Sequence, residues 1–141
     1  MTVTPATEYV DRARKLGPEL EAAAEEIERR RELPEPIVEA LIDRGLFRLL
    51  LPHALGGAEL PPAAYVQVIE EIAKLDASAA WCLGQANGCT MTAALLDPEV
   101  AREIFGSRRG ISLRHQTLTL LLPPDVQLGF VSEDWTRFVL T

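Results

Sequence analysis

The sequence predicts an all-α fold of about five helices, followed by a short tail that favours β structure. Ala, Leu and Glu dominate roughly the first hundred residues, and all three suit helices. In the same part, apolar residues recur at steps of three and four, the period of an amphipathic helix. The runs TLTLLL and VQLGFV, both after residue 106, are each typical of a strand. We therefore expect a helical domain over residues 1–106 and an incomplete or unrelated segment over residues 107–141.

The charge of the chain argues against two classes of partner. Its 141 residues carry a net charge of −7, whereas nucleic acids and anionic membrane surfaces bind clustered Lys and Arg. Residues 1–106 hold 10 Lys plus Arg against 18 Asp plus Glu, and residues 107–141 hold 4 against 3, so the composition changes near residue 106. The N-terminus, MTVTPATEYVDRARK, lacks the basic start and apolar core of a secretory signal, which predicts a cytoplasmic protein.

The first two elements are predicted by spacing and by helix-end residues. One apolar stripe marks the first helix, where Gly17-Pro18 is expected to kink or restart it. The stripe consists of Tyr9, Ala13, Leu16, Leu20, Ala23 and Ile27. The next helix begins near Pro36, because proline suits a first helical turn, and Gly45 is placed to end it in the left-handed conformation.

The remaining helices follow a turn. Gly56-Gly57 could suggest a phosphate-binding loop, but no Lys or GxGxxG pattern accompanies the pair, so a turn is the better interpretation. A helix then follows, traced by Tyr65, Val66, Ile69, Ile72 and Ala73. Asp76 is a good N-cap for the next helix, and Asp97-Pro98 starts a last short one that Gly106 can close.

Residues 77–96 carry no charged side chain and form the most unusual stretch of the sequence. The stretch is long enough to cross a bilayer, but it contains polar side chains and no Lys or Arg cluster flanks it, which argues against a membrane span. Two alternatives remain: a central helix packed on every side, or a helix whose small face lines a cavity. In either case, the spacing of Gly84 and Gly88 predicts close approach of a neighbouring backbone.

Four residues of this stretch are candidates for lining such a cavity, namely Trp81, Cys82, Gln85 and Cys89, which lie one and two turns apart. The two cysteines stand about 10 Å apart along a helix axis, beyond the roughly 7 Å between Cα atoms that a disulfide allows. Two thiols without a nearby His also make a poor metal site, so none is predicted. We expect both cysteines to be reduced and to pack as small core residues.

Three segments occur together in a recognisable order: LPEPIVEALIDRGLFRLLLP, GGAELPPAAYVQVIEEIAKLDASAAW and DPEVAREIFG. In this order and from about residue 12 to 106, the chain resembles the N-terminal helical domain of the acyl-CoA dehydrogenase superfamily. The resemblance covers about two thirds of the chain. The superfamily includes the related flavin-dependent monooxygenases, and the segment DASAAW strongly resembles that branch.

The resemblance implies that residues 77–96 form part of the wall of a substrate cavity. It also implies FAD or reduced flavin as cofactor, acyl-CoA or another small molecule as substrate, and homo-oligomers among the full-length relatives. The expected activity is acyl-CoA dehydrogenation, with flavin-dependent oxygenation as the alternative. Aromatic hydroxylases of the second branch often carry a His near the position where this chain has Cys89.

In this superfamily the flavin site and the catalytic carboxylate lie in later domains. The resemblance therefore implies no catalytic residue among residues 1–106, and we expect the isolated chain to be inactive and to bind no flavin alone. The composition after residue 106 leads us to expect a truncated or frame-shifted reading frame. A non-enzymatic helical interaction module is the other hypothesis. A water-exposed Trp81 is expected to count against the oxidoreductase kinship.

Overall fold

The computed structural model describes residues 5–107, which form six α-helices and three short 3-10 turns and contain no strand. The helices are α1 (Ala6–Arg14), α2 (Gly17–Arg30), α3 (Glu35–Asp43), α4 (Pro62–Leu75), α5 (Ala77–Met91) and α6 (Pro98–Phe105). The 3-10 turns are Leu46–Arg48, His53–Leu55 and Thr92–Leu95. The all-α prediction is confirmed for this part of the chain, and the predicted β tail lies outside it.

The predicted helix ends are confirmed by backbone geometry and capping bonds. α2 starts at Gly17, so the Gly-Pro pair restarts the helix and separates α1 from α2. Gly45 follows α3 with a φ of 70°, in the left-handed region. The Asp76 carboxylate accepts a 2.7 Å hydrogen bond from the Ala79 N–H at the start of α5. The Asp97 carboxylate caps α6 in the same way, accepting a 2.8 Å bond from the Glu99 N–H.

Helix α4 lies between α1 and α5 and packs against both. The α1–α2 stripe packs beside it, and five of its six predicted members are buried, with Ala23 half-buried. The buried members are Tyr9, Ala13, Leu16, Leu20 and Ile27. In α4 itself, the residues predicted to form the buried face are wrong in part. Val68 and Ile72 are the buried pair, whereas Val66 and Ala73 are exposed because α1 and α5 approach the opposite side.

Residues 46–60 are irregular, and their backbone groups pair across a tight turn. The Ala58 N–H donates to the Arg48 carbonyl at 2.9 Å, and the Leu60 N–H donates to the Leu49 carbonyl at 2.8 Å. A side-chain carbon on Gly57 would stand 1.9 Å from the Leu51 carbonyl oxygen, so only glycine fits there. The prediction that Gly56-Gly57 forms a turn is therefore confirmed.

Arg48 ties this irregular segment to the end of α6. Its half-buried guanidinium donates to the carbonyls of Phe105 at 3.0 Å, Ser107 at 2.9 Å, and Leu55. Burial lowers the pKa of Arg48, since the charged guanidinium loses water. The same region encloses a small apolar cluster of Leu51, Ala93 and Phe105. The three carbonyls and this cluster together hold α6 against the segment.

A surface ion-pair network joins α1 to α4. The Glu71 carboxylate accepts hydrogen bonds from Arg14 Nε at 3.0 Å and from Lys74 Nζ at 3.0 Å. Its side chain is only 18% exposed, whereas that of the neighbouring Glu70 is 61% exposed. The bonds from Arg14 and Lys74 lower the pKa of Glu71 from 4.5 to about 2. Glu71 is therefore ionised and paired at neutral pH.

We predict that Glu71→Gln lowers the free energy of unfolding at pH 7. A carboxyl group whose pKa is depressed by folding stabilises the native state above its unfolded pKa, and that contribution disappears as pH falls through the folded value. The difference between variant and parent should therefore shrink between pH 4.5 and about 2. Urea unfolding followed by circular dichroism at several pH values measures it.

Glu70→Gln is the matched control, since the ion pair of Glu70 among the described residues is with Lys74 alone, at 3.3 Å. It should change the unfolding free energy less than Glu71→Gln does. A Glu71→Gln effect that stays constant across the acidic range would contradict the assigned role of this carboxylate.

Candidate functional site

Helix α5 and the 3-10 turn that follows it contain the uncharged stretch except for its last residue, Leu96. One face of the helix is buried against α4 and the turn Leu46–Arg48. The buried side chains on this face are Ala79, Ala80, Leu83, Ala86, Asn87 and Thr90. Three of them are alanines, and their small size allows the backbones of neighbouring elements to approach α5 closely.

The fully buried amide of Asn87 fixes α5 to the irregular segment. Its Oδ1 accepts a 2.8 Å hydrogen bond from the Leu49 N–H and a 3.4 Å bond from the Leu50 N–H. Its Nδ2 donates to the carbonyls of Leu46 at 2.9 Å and Leu83 at 3.0 Å. Both ends of the amide are thus satisfied, and three of the four bonds cross to residues 46–50. The amide therefore fixes how α5 is rotated about its axis.

The opposite side of α5 is solvent-exposed, and we call it the open face, defined by Trp81, Gln85, Gly88 and Met91. Trp81 is 69% exposed and Met91 is 54% exposed. Leu95, in the following 3-10 turn, continues the apolar surface and is 86% exposed. Large exposed apolar side chains on one uncharged surface are typical of a binding site rather than of ordinary protein surface.

This exposure corrects two expectations. The alternative of a helix packed on every side is wrong within the described residues, since α5 buries only one face. The criterion that an exposed Trp81 counts against the oxidoreductase kinship is also wrong. A helix that lines a cavity between domains exposes its lining face whenever one domain is taken by itself, so exposure does not discriminate.

The prediction that Gly84 and Gly88 bring a neighbouring backbone close is wrong as well. A side-chain carbon on Gly84 would be 3.9 Å from the Tyr65 hydroxyl, an ordinary contact. At Gly88 such a carbon would meet no described atom within 4 Å. Both glycines therefore lie towards the open side of α5 and are not needed for helix packing there.

Cys82 and Cys89 lie at one edge of the open face, half-buried and free. They are not the core residues that we expected, because α5 is rotated so that three of its four alanines face inward. Burial raises the pKa of both thiols, and the charge of Asp76 raises the pKa of Cys82 further. Both are therefore neutral thiols at physiological pH, which excludes thiolate nucleophiles at these positions.

The four predicted cavity residues lie on the same side of α5. At 100° per residue, Trp81, Gln85, Cys89 and Cys82 fall within an arc of about 100°. Trp81 and Gln85 are exposed, and the two cysteines are half-buried.

The structural role of Asn87 was not predicted, and no local sequence signal indicates it, because a polar residue in an uncharged helix does not by itself reveal its partner.

Other parts of the described chain offer less chemistry. An open groove of about 530 Å³ lies between α2 and α3, and its rim includes Glu19, which is paired with Arg44 at 2.7 Å. Among residues 5–107, no group of three His, Cys, Asp or Glu side chains could hold a metal ion. No helix in the same range is both long and apolar enough to cross a bilayer. The open face of α5 is the best candidate site in this part of the chain.

Most of the described chain matches a known family. Residues 7–98 match the family described as "Acyl-CoA dehydrogenase, N-terminal domain". This range includes the Gly-Gly turn, α4 and the whole of α5.

Several characterised relatives match the same part of the chain. An indole-3-acetate monooxygenase of Pseudomonas putida is 34% identical over 82 residues, which is 58% of this chain and 21% of that protein. The oxygenase subunit HsaA of a flavin-dependent monooxygenase of Mycobacterium tuberculosis is 32% identical over 91 residues, 64% of this chain and 23% of that one. A 3-(aryl)acrylate reductase of Clostridium sporogenes is 33% identical over 78 residues, which is 55% of this chain and 21% of that protein. The matched part thus spans less than a quarter of each of these relatives.

The two amides of α5 provide a matched test of how the helix is anchored. We predict that Asn87→Ala lowers the free energy of unfolding by about 3 kcal/mol, since it leaves buried backbone groups of residues 46–50 without partners. Gln85→Ala, on the open face, should change it by less than about 0.5 kcal/mol. Chemical denaturation of both variants measures the difference. Equal effects would show that Asn87 does not anchor α5.

Proposed function

This chain belongs to the family of acyl-CoA dehydrogenase N-terminal domains, and we propose that it forms the substrate-side helical domain of a flavin-dependent oxidoreductase. In this proposal the open face of α5 is one wall of the substrate cavity, and Trp81, Cys82, Gln85 and Cys89 contact the substrate. The observation that carries the proposal is the open face itself, an uncharged and partly aromatic surface exposed on an acidic chain.

Each of these side chains has a distinct role in the proposal. The Trp81 indole provides a large flat surface on which a ring can stack. Gln85 carries both a donor and an acceptor, and can therefore orient one polar group of the substrate. The neutral thiols of Cys82 and Cys89 add polarizable, weakly polar surface and exclude water from the substrate.

Proton abstraction is not assigned to this part of the chain. The uncharged stretch has no carboxylate, and Glu71 on α4 is held ionised and paired by Arg14 and Lys74, with a pKa of about 2. A carboxylate with so low a pKa is a weak base at neutral pH. The role proposed for α5 is to bind and orient the substrate, and to keep water from it.

The described residues do not fit a flavin on their own. A flavin nucleotide carries phosphate, which requires cationic side chains or free backbone N–H groups. The open face has no cation, and the Arg48 guanidinium is already bonded to three carbonyls. Flavin use by the whole enzyme is proposed from the relatives, since the oxygenase subunit of Mycobacterium tuberculosis is flavin-dependent by name.

An aromatic substrate is the class that we propose. The names of two relatives specify an indole and an aryl substrate, and the open face offers a stacking surface without charge. Acyl-CoA dehydrogenation is the second candidate, supported by the family itself. Only the acyl part of such a thioester would suit the open face, because its phosphorylated part requires cations.

A non-enzymatic interaction module is the competing hypothesis, in which the open face binds another polypeptide. A stable homo-oligomer of defined size, measured by size-exclusion chromatography with light scattering, would favour it over the proposed enzyme domain.

Binding of a neutral ring to the open face can be tested directly. Neutral indole added to the chain should shift the NMR amide resonances of residues 81–89 more than those of α1 to α3, since stacking on Trp81 brings a ring current to that face. Trp81→Ala should abolish most of the shift. The measurement is a titration followed by ¹H–¹⁵N correlation spectra.

Val66→Ala is the control, because Val66 is also an exposed apolar side chain, 58% exposed, but lies on α4. It should leave the indole response unchanged. Shifts spread evenly over the described helices, or lost equally in both variants, would contradict the proposed site.

Flavin binding by the purified chain can be tested by its visible absorbance. We expect the purified chain to retain no visible flavin absorbance after desalting, since the described residues offer no phosphate-binding group on the open face. Free flavin added and then removed by gel filtration provides the control. A flavin band that co-elutes with the chain in equimolar amount would overturn this prediction.

A further inference from the structure

We infer that Gly88 is a specificity-determining residue, which admits a wide flat ring system by leaving bare helix backbone in the middle of the open face. This inference rests on the proposed function, because it concerns the same face and adds the size of the group that the face accepts.

The space beside Gly88 differs from that beside the other glycine of α5. A side-chain carbon at Gly88 would meet no described atom within 4 Å, whereas one at Gly84 would lie 3.9 Å from the Tyr65 hydroxyl. Tyr65 itself is half-buried, and burial raises its pKa, so that its hydroxyl is protonated and neutral. Gly88 thus stands over open space, with the neutral Tyr65 hydroxyl near the neighbouring turn.

Nothing among the described contacts requires glycine at position 88. The positive-φ glycines in this part of the chain are Gly45 and Gly56, so Gly88 has a conformation that any residue adopts in a helix. Glycine in a helix interior is less stable than alanine, because it loses more backbone freedom on folding. Helix stability therefore disfavours the glycine, and we assign its presence to the ring that would occupy this space.

The neighbours of Gly88 define the chemistry of that space. Gln85 precedes it by one turn and Met91 follows it by one turn, and both are exposed. Trp81 lies two turns before it on the same face. Along the helix axis, Trp81 lies about 10 Å and Met91 about 4.5 Å from Gly88. A flat group placed on the bare backbone would therefore have the Gln85 amide and the Met91 thioether beside it, with the Trp81 ring farther along the same face. A neutral ring system with a single polar substituent matches this set, and a charged group does not.

The experiment compares a two-ring and a one-ring probe, indole and benzyl alcohol, on the parent chain and on two alanine variants. Gly88→Ala should weaken indole binding about tenfold, because a methyl group would occupy the space under the wider ring, and should affect benzyl alcohol less. Gly84→Ala, with the same gain in helix propensity, should leave the ratio of the two affinities unchanged. NMR titration gives the affinities, and urea unfolding gives the stability of each variant.

Gly88→Ala is also expected to raise the midpoint of urea unfolding, as is Gly84→Ala. A lower midpoint for Gly88→Ala would overturn the inference, since it would show a packing role for the glycine. An unchanged affinity ratio in Gly88→Ala would overturn it too, while indole shifts on α5 would still support the proposed function. If indole shifts no α5 resonance in the parent chain, the proposed function fails and the inference fails with it.

Discussion

The buried amide of Asn87 is the interaction on which the rest of this structure depends. Residues 46–50 pass beneath α5 and form only a short 3-10 turn, so several of their N–H and C=O groups need partners outside the segment. Asn87 bonds the Leu49 and Leu50 N–H groups and the Leu46 carbonyl from the middle of α5. An apolar side chain at position 87 would leave those groups unpaired in a buried environment, at a cost of several hydrogen bonds.

The orientation of α5 follows from this constraint. With Asn87 held against residues 46–50, three of the four alanines of α5 face inward, and Trp81, Gln85, Gly88 and Met91 face solvent. Arg48 and Gly57 complete the support beneath the helix, the first through three carbonyls and the second by allowing close backbone approach. The polar anchor and the uncharged open face therefore belong to one arrangement, in which rigid packing on one side positions a binding surface on the other.

The open face and the family membership support the same kind of function. The proposed function requires a neutral substrate wall, and the open face meets this requirement because its residues lack charge and the thiols at its edge are protonated. The exposed indole of Trp81 and the bare backbone at Gly88 reduce the stability of an isolated domain, one through apolar exposure and the other through helix propensity. Under the proposed function, a bound substrate would cover both features.

Local chemistry in the sequence determined where the helices begin and end. Asp76 and Asp97 cap helices through their own carboxylates, Gly17-Pro18 restarts a helix, and Gly45 takes a left-handed conformation, all of which depend on neighbours within a few residues. Only the tertiary structure decided which side of α5 is buried. Its residues are small or apolar on every side, so no periodicity reveals the buried face. The choice rests on hydrogen bonds between Asn87 and residues about forty positions away, which a local pattern cannot encode.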